Sequence, residues 1–172
     1  MTPSETRGVP ARSVSSSSEP APDGAALPSG RIGVLHLLYT MAYGGVDTTV
    51  INWLRKIDRD RFDVHLVCFA NPGSTEMPFV KAATAAGLRL TAKLPWHRSK
   101  PILSAARRLS DLIRRHRIDI VHSHNCYADV VARVAGWMTP VKLVTTLYVW
   151  GDFGWKRNLI QWINQLAIRR FD

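Results

Sequence analysis

Cysteine is scarce in this chain: Cys68 and Cys126 are the only two in 172 residues, too few for a disulfide framework. The N-terminal region lacks an apolar run of the length a signal peptide or membrane span needs, so the expected setting is the cytoplasm. Acids are also scarce, with 13 Asp and Glu against 23 Lys and Arg and a formal net charge of +10. That imbalance favours anionic partners such as phosphates or acidic lipid head groups, the latter at the inner membrane face. Nucleic acid is disfavoured, because no reader motif accompanies the charge. Three common catalytic motifs are missing as well. There is no Gly-x-Ser-x-Gly nucleophile elbow and no Gly-x-x-x-x-Gly-Lys-Ser/Thr phosphate loop, which sets aside the usual hydrolase and nucleotide-hydrolase readings. A dinucleotide fingerprint fails too, since the first loop offers only the adjacent pair Gly44 and Gly45, and Cys68, Phe69, Ala70, Asn71 brings no carboxylate for a ribose.

What is present divides at about residue 30. Residues 1–30 hold seven Ser, five Pro and three Gly, a composition that cannot offset its ordering entropy by burial and reads as a disordered tail. From Arg31 to Asp172, Val/Ile/Leu-rich runs alternate with stretches of helical period, the pattern of stacked β-α units around a parallel sheet. Strands are expected at residues 32–38, 63–69, 88–94, 118–124 and 141–149. Helices are expected after Gly45, from Pro78 to a cap at Gly87, from Pro101, over 128–137 and over 155–170. The fold class is therefore α/β: a single Rossmann-like domain with a doubly wound, mainly parallel sheet of at least five strands. Right-handed crossovers favour the strand order 3-2-1-4-5.

In that order the first and fourth strands meet at the switch point, where ligands bind beyond the carboxyl ends of strands. This nominates loops 39–45 and 124–127. Gly44 and Gly45 stand before a helix N-terminus, where free amides and the helix dipole suit a phosphate; a plain strand-to-helix turn explains the same pair. In IVHSHNC, His122 and His124 fall on one side of the strand. His122 is expected to be a core or supporting residue and His124 to face the crevice, with Asn125 either beside it or serving only as the helix N-cap. His-x-His with Cys126 is the start of a metal set, but nothing else has ligand spacing, so no metal is expected. Cys126 lacks a partner base and reads as an ordinary thiol, and Trp53 and Met41 read as packing. The basic faces Arg107, Arg108, Arg114, Arg115 and Lys156, Arg157, Arg169, Arg170 suit an anionic membrane surface or are simply solvated.

The series RIGVLHLL, AYGGVDTTVINWLRKID, FDVHLVCF, RIDIVHSHNCYADVVARVAG and PVKLVTTLYV resembles, in order, the N-terminal, acceptor-side domain of family 4 glycosyltransferases of the two-Rossmann-domain GT-B type. The resemblance implies a retaining transfer from a nucleotide-diphosphate sugar, acting as co-substrate with no other cofactor, to a glycan or lipid acceptor. It implies that Gly44 and Gly45 touch the donor phosphate and that His124 and Asn125 line the acceptor side; no catalytic residue is assigned. Where many members carry Thr-x-His, this chain reads Thr146, Leu147, Tyr148, which puts Tyr148 at the histidine's position. The donor-binding domain with its Glu-x7-Glu segment is missing before Asp172, so the chain reads as a fragment or truncated product completed by a further domain or partner chain and inactive alone. The competing reading is a non-catalytic Rossmann-like module that binds an anionic ligand or membrane surface.

Overall fold

A computed structural model of the chain describes residues 30–39, 43–70, 77–95 and 102–148, with positions 162, 165, 166, 168 and 169. The expected tail, apart from Gly30, and the expected last helix, apart from those five positions, lie outside the described residues, as do Met41 and Val149.

The elements run β1 (Ile32–Leu38), α1 (Gly45–Lys56), β2 (Phe62–Ala70), α2 (Pro78–Ala85), β3 (Leu90–Pro95), α3 (Ile102–His116), β4 (Ile120–Ser123), α4 (Cys126–Met138) and β5 (Lys142–Thr145). All strand pairs are parallel and the order is β3-β2-β1-β4-β5, the doubly wound order expected from the alternation. Because side chains alternate along a strand, each face of the sheet collects its own core. Leu35, Leu37, Val67, Phe69, Val121 and Leu143 pack with Ala105, Leu109 and Ile113 of α3 and Val131 and Ala135 of α4. On the other face Leu38, Leu66 and Cys68 pack with Val50, Ile51 and Leu54 of α1 and Phe79 and Ala83 of α2. Fully burying each such Leu, Val or Phe contributes about 1.5–3 kcal/mol.

Helix ends follow local chemistry. Gly87, at φ 75°, lets α2 stop: its amide donates to the Thr84 carbonyl and the Leu88 amide to that of Ala83, a Schellman closure that only a left-handed residue permits. Gly33 answers a different need. A Cβ there would stand 2.7 Å from the Arg117 carbonyl oxygen, and the Gly33 amide donates to the Asp119 carboxylate at 2.7 Å, so β1 and the entry to β4 meet backbone to backbone. The fourth strand ends at Ser123, not His124, because Asn125 caps α4 by accepting from the Ala128 amide at 3.2 Å, and α4 then begins at Cys126 rather than Ala128. With β4 ended, β5 loses its ladder partner after Thr145 and is shorter than the expected 141–149.

Candidate functional site

Toward the carboxyl ends of β1 and β4 the sheet carries imidazoles where the flanking strands carry Leu66 and Val144. His36 and His122 are register partners across β1 and β4, so their rings share the α1 face of the sheet. His124 lies just past the β4 ladder, held by its amide donating to the Leu37 carbonyl at 3.0 Å. The three rings come together: His36 Nδ1 and His124 Nε2 are 3.0 Å apart, and the His122 and His124 ring centroids are 4.2 Å apart. His124 Nδ1 pairs with the Tyr148 hydroxyl at 3.0 Å, and His122 Nε2 with Thr146 Oγ1 at 2.7 Å. The Trp53 indole stacks over His122 at 6.4 Å between centroids and is 45% exposed.

Burial governs the ionisation of this cluster. It lowers His36 to about 3 and His124 to about 2, with the neighbouring His122 reinforcing both and Arg59 adding to the effect at His36. Burial lowers His122 as well. The cluster is therefore uncharged at neutral pH. The Tyr148 phenol is raised, first by burial and then by the charge of Asp47, so it stands as a neutral hydroxyl. Burial likewise raises Cys126, with Asp129 next in effect, which leaves it a thiol rather than a thiolate nucleophile.

The N-terminus of α1 closes on itself. The Gly44 amide donates to the Asp47 carboxylate at 2.9 Å, a negative group in the first turn where the helix dipole favours it. Gly44 is extended, and a Cβ on Gly45 would meet nothing within 4 Å. Backbone strain demands a glycine at neither position, and packing among the described residues does not demand one at Gly45. Asn125 is used on both sides of its amide, accepting from Ala128 and donating to the Tyr39 carbonyl at 3.0 Å, so it pins the β1 loop to the start of α4.

The structure thus puts His124 and Tyr148 in direct contact and joins Asn125 to Tyr39, while Asp47, which accepts from the Gly44 amide, reaches Tyr148 only through its charge. It reverses the expected roles of the two histidines: His124 is fully buried and His122 is the half-exposed one, because the chain turns inward after Ser123 to enter α4. Trp53, expected to be packing, does pack over the His122 and His124 rings, with 45% of its surface exposed. His36 and Asp47 escaped the sequence reading. The signal for His36 was available, since a histidine inside the otherwise apolar IGVLHLL is a polar group on a buried strand.

The model of the glycosyl transferase 4-like domain matches residues 44–172. The chain belongs to that family. No curated protein matches it. Among solved structures, this glycosyl transferase 4-like domain is similar to Anabaena HepE in complex with UDP-glucose, at 15% identity and a TM-score of 0.62, covering 82% of this chain and 36% of that one. It is similar to a glycosyltransferase from Rickettsia africae at 15% identity and a TM-score of 0.58, covering 81% and 35%. It is also similar to a UDP-N-acetylglucosamine 2-epimerase at 13% identity and a TM-score of 0.61, covering 83% and 40%. The domain therefore spans well under half the length of these structures, and at such identities the likeness is one of fold. That fold is one Rossmann-like half of the GT-B architecture, of the kind that stands N-terminal in family 4 glycosyltransferases. Among the described residues no helix is long and apolar enough to cross a membrane.

Proposed function

We propose that this domain is the acceptor-side half of a retaining glycosyltransferase that moves a sugar from a nucleotide-diphosphate sugar to a glycan or lipid. The observation that carries the reading is the contact, in a member of this family, between His124 and Tyr148 at the switch point between β1 and β4, where doubly wound sheets bind ligands. The UDP-glucose held by HepE supports a nucleotide sugar as the donor class. Asp47 already occupies the Gly44 amide, so contact with a donor phosphate falls to the first-turn amides from Gly45 onward, where a Cβ on Gly45 would meet nothing within 4 Å among the described residues. The half-exposed His122, the Tyr148 hydroxyl and Asn125 offer neutral hydrogen-bonding groups for acceptor hydroxyls. A neutral phenol orients a hydroxyl but is a poor proton acceptor, which fits a role in positioning rather than in acid-base chemistry.

Glycosyl transfer needs donor and acceptor held together across a cleft, so turnover is expected only when a donor-binding domain joins this one. An anionic membrane surface belongs to the same proposal: Lys93, Arg108 and Arg115 ring an open surface cavity beside β3, while Arg114 is engaged with Ser110, Thr139 and Asp111. The test incubates the purified chain with a panel of nucleotide sugars and lipid or glycan acceptors, alone and with a related donor-binding domain added in trans. Turnover only after complementation supports the proposal. Turnover by the chain alone overturns the half-enzyme reading, and binding without turnover in every combination favours the non-catalytic module.

A further inference from the structure

Beyond sugar transfer, His36, His122 and His124 form an arrangement with its own chemistry. Each ring offers one nitrogen, and these three nitrogens all lie within 4.8 Å of one another. Ligands of a tetrahedral zinc ion, with zinc–nitrogen bonds of about 2.0–2.1 Å, stand roughly 3.3 Å apart. The 3.0 Å between His36 Nδ1 and His124 Nε2 is already at that spacing. The nitrogen of the third ring, His122, lies within 4.8 Å of both.

We propose that His36, His122 and His124 form a binding site for a divalent first-row cation, zinc in the first instance. The surrounding groups are disposed as metal sites require. Imidazole ligands are characteristically held by a hydrogen bond on the nitrogen that does not face the metal, and here the Tyr148 hydroxyl holds His124 Nδ1 while Thr146 Oγ1 holds His122 Nε2. Those bonds leave His124 Nε2, already 3.0 Å from His36 Nδ1, and His122 Nδ1 as the nitrogens available to a cation. The proton now shared between His36 Nδ1 and His124 Nε2 moves to the far nitrogen of its own ring when the cation takes its place, so three uncharged imidazoles enter the site without net proton loss. Two of the ligands sit on adjacent strands in register and the third is tethered to β1 through its backbone, which makes the set rigid. Three protein ligands leave a fourth position open, for water or for a hydroxyl or phosphate oxygen of a substrate. The site does not depend on the glycosyltransferase reading, because it is tested by cation binding alone.

The experiment uses the full chain, free of any affinity tag and stripped with chelator, titrated with cobalt(II) chloride by visible absorption and with zinc sulfate by calorimetry. The expected result is one equivalent bound with roughly micromolar affinity or better and the intense visible bands of a four-coordinate cobalt ion. His122→Ala, at the half-exposed member, is expected to weaken zinc by about 100-fold or more. Tyr148→Phe, which removes an orienting partner only, is expected to weaken it by about 10-fold with the stoichiometry kept. His65→Ala is the control: His65 pairs with Asp63 and lies tilted against His116 elsewhere on the sheet, and its loss should leave cation binding unchanged. Absence of cation uptake by the folded chain overturns the proposal, as does undiminished binding by His122→Ala or loss of binding in His65→Ala. Should His122→Ala fail to fold, the wild-type cobalt spectrum decides, because the weak bands of a six-coordinate, solvent-like ion would equally overturn the site.

Discussion

His36 and Leu37 are adjacent in β1 and enter opposite faces of the same sheet, and the two faces are built from different materials. The Leu37 face, under α3 and α4, is built mainly on a large apolar cluster. On the His36 face the apolar cluster under α1 and α2 gives way, at the β1–β4 junction, to three hydrogen-bonded imidazoles capped by Trp53. The buried polar cluster on the α3/α4 face is of another kind: Asp129 accepts from Ser123 at 2.5 Å and from Thr145 at 2.7 Å, tying α4 to β4 and β5. Both faces carry an apolar core, but only the His36 face sets a cluster of imidazoles into it.

The contrast can be broken by mutation at each side. Leu37→Ala empties a fully buried position and is expected to cost about 3 kcal/mol in chemical denaturation, by the same amount at pH 7 and pH 5. The imidazole face behaves differently with pH. His36 and His124 have folded pKa values lowered to about 3 and about 2 from an unfolded value of about 6.5, so the unfolded state binds protons first as pH falls. Their stabilising neutrality is fully present above pH 6.5 and is lost progressively below it, by about 3 kcal/mol between pH 6.5 and 5 in the metal-free protein. His36→Leu is expected to cost about 1–2 kcal/mol at pH 7, because His124 loses its partner, and to halve that acid slope; equal slopes for wild type and variant would contradict the assignment. The smallest effect is expected on the other face. Thr145→Val removes one of two hydroxyl donors to Asp129 and should cost about 1 kcal/mol, with no change in the acid slope, since no imidazole is touched.

The strand order, the parallel sheet and the cap at Gly87 were legible because each rests on a local signal: apolar runs, crossover handedness, a glycine after a helical stretch. The burial of His124 was not. Strand alternation places it with His122, but the turn into α4 is set by Asn125, whose amide caps one helix and pins a distant loop at once. His36 stands out as a histidine in an otherwise apolar strand, but its partnership with His122 arises only when register brings the two opposite, and register is not written in either strand alone. Likewise the self-capping of α1 by Asp47 shows that a Gly-Gly pair before a helix need not leave every first-turn amide free for an anion.

The central claim is that the polar face serves substrate rather than stability, and Tyr148→Phe tests it most directly. The substitution keeps the ring and removes only the hydroxyl that meets His124. Melting temperature of the chain and turnover in the complemented reaction are measured side by side on wild type and variant. The expected result is a melting temperature within about 3 °C of wild type, the shift of a single partly exposed hydrogen bond, with turnover reduced about 10-fold or more. Unchanged turnover, or a loss of turnover matched by unfolding, would contradict the claim.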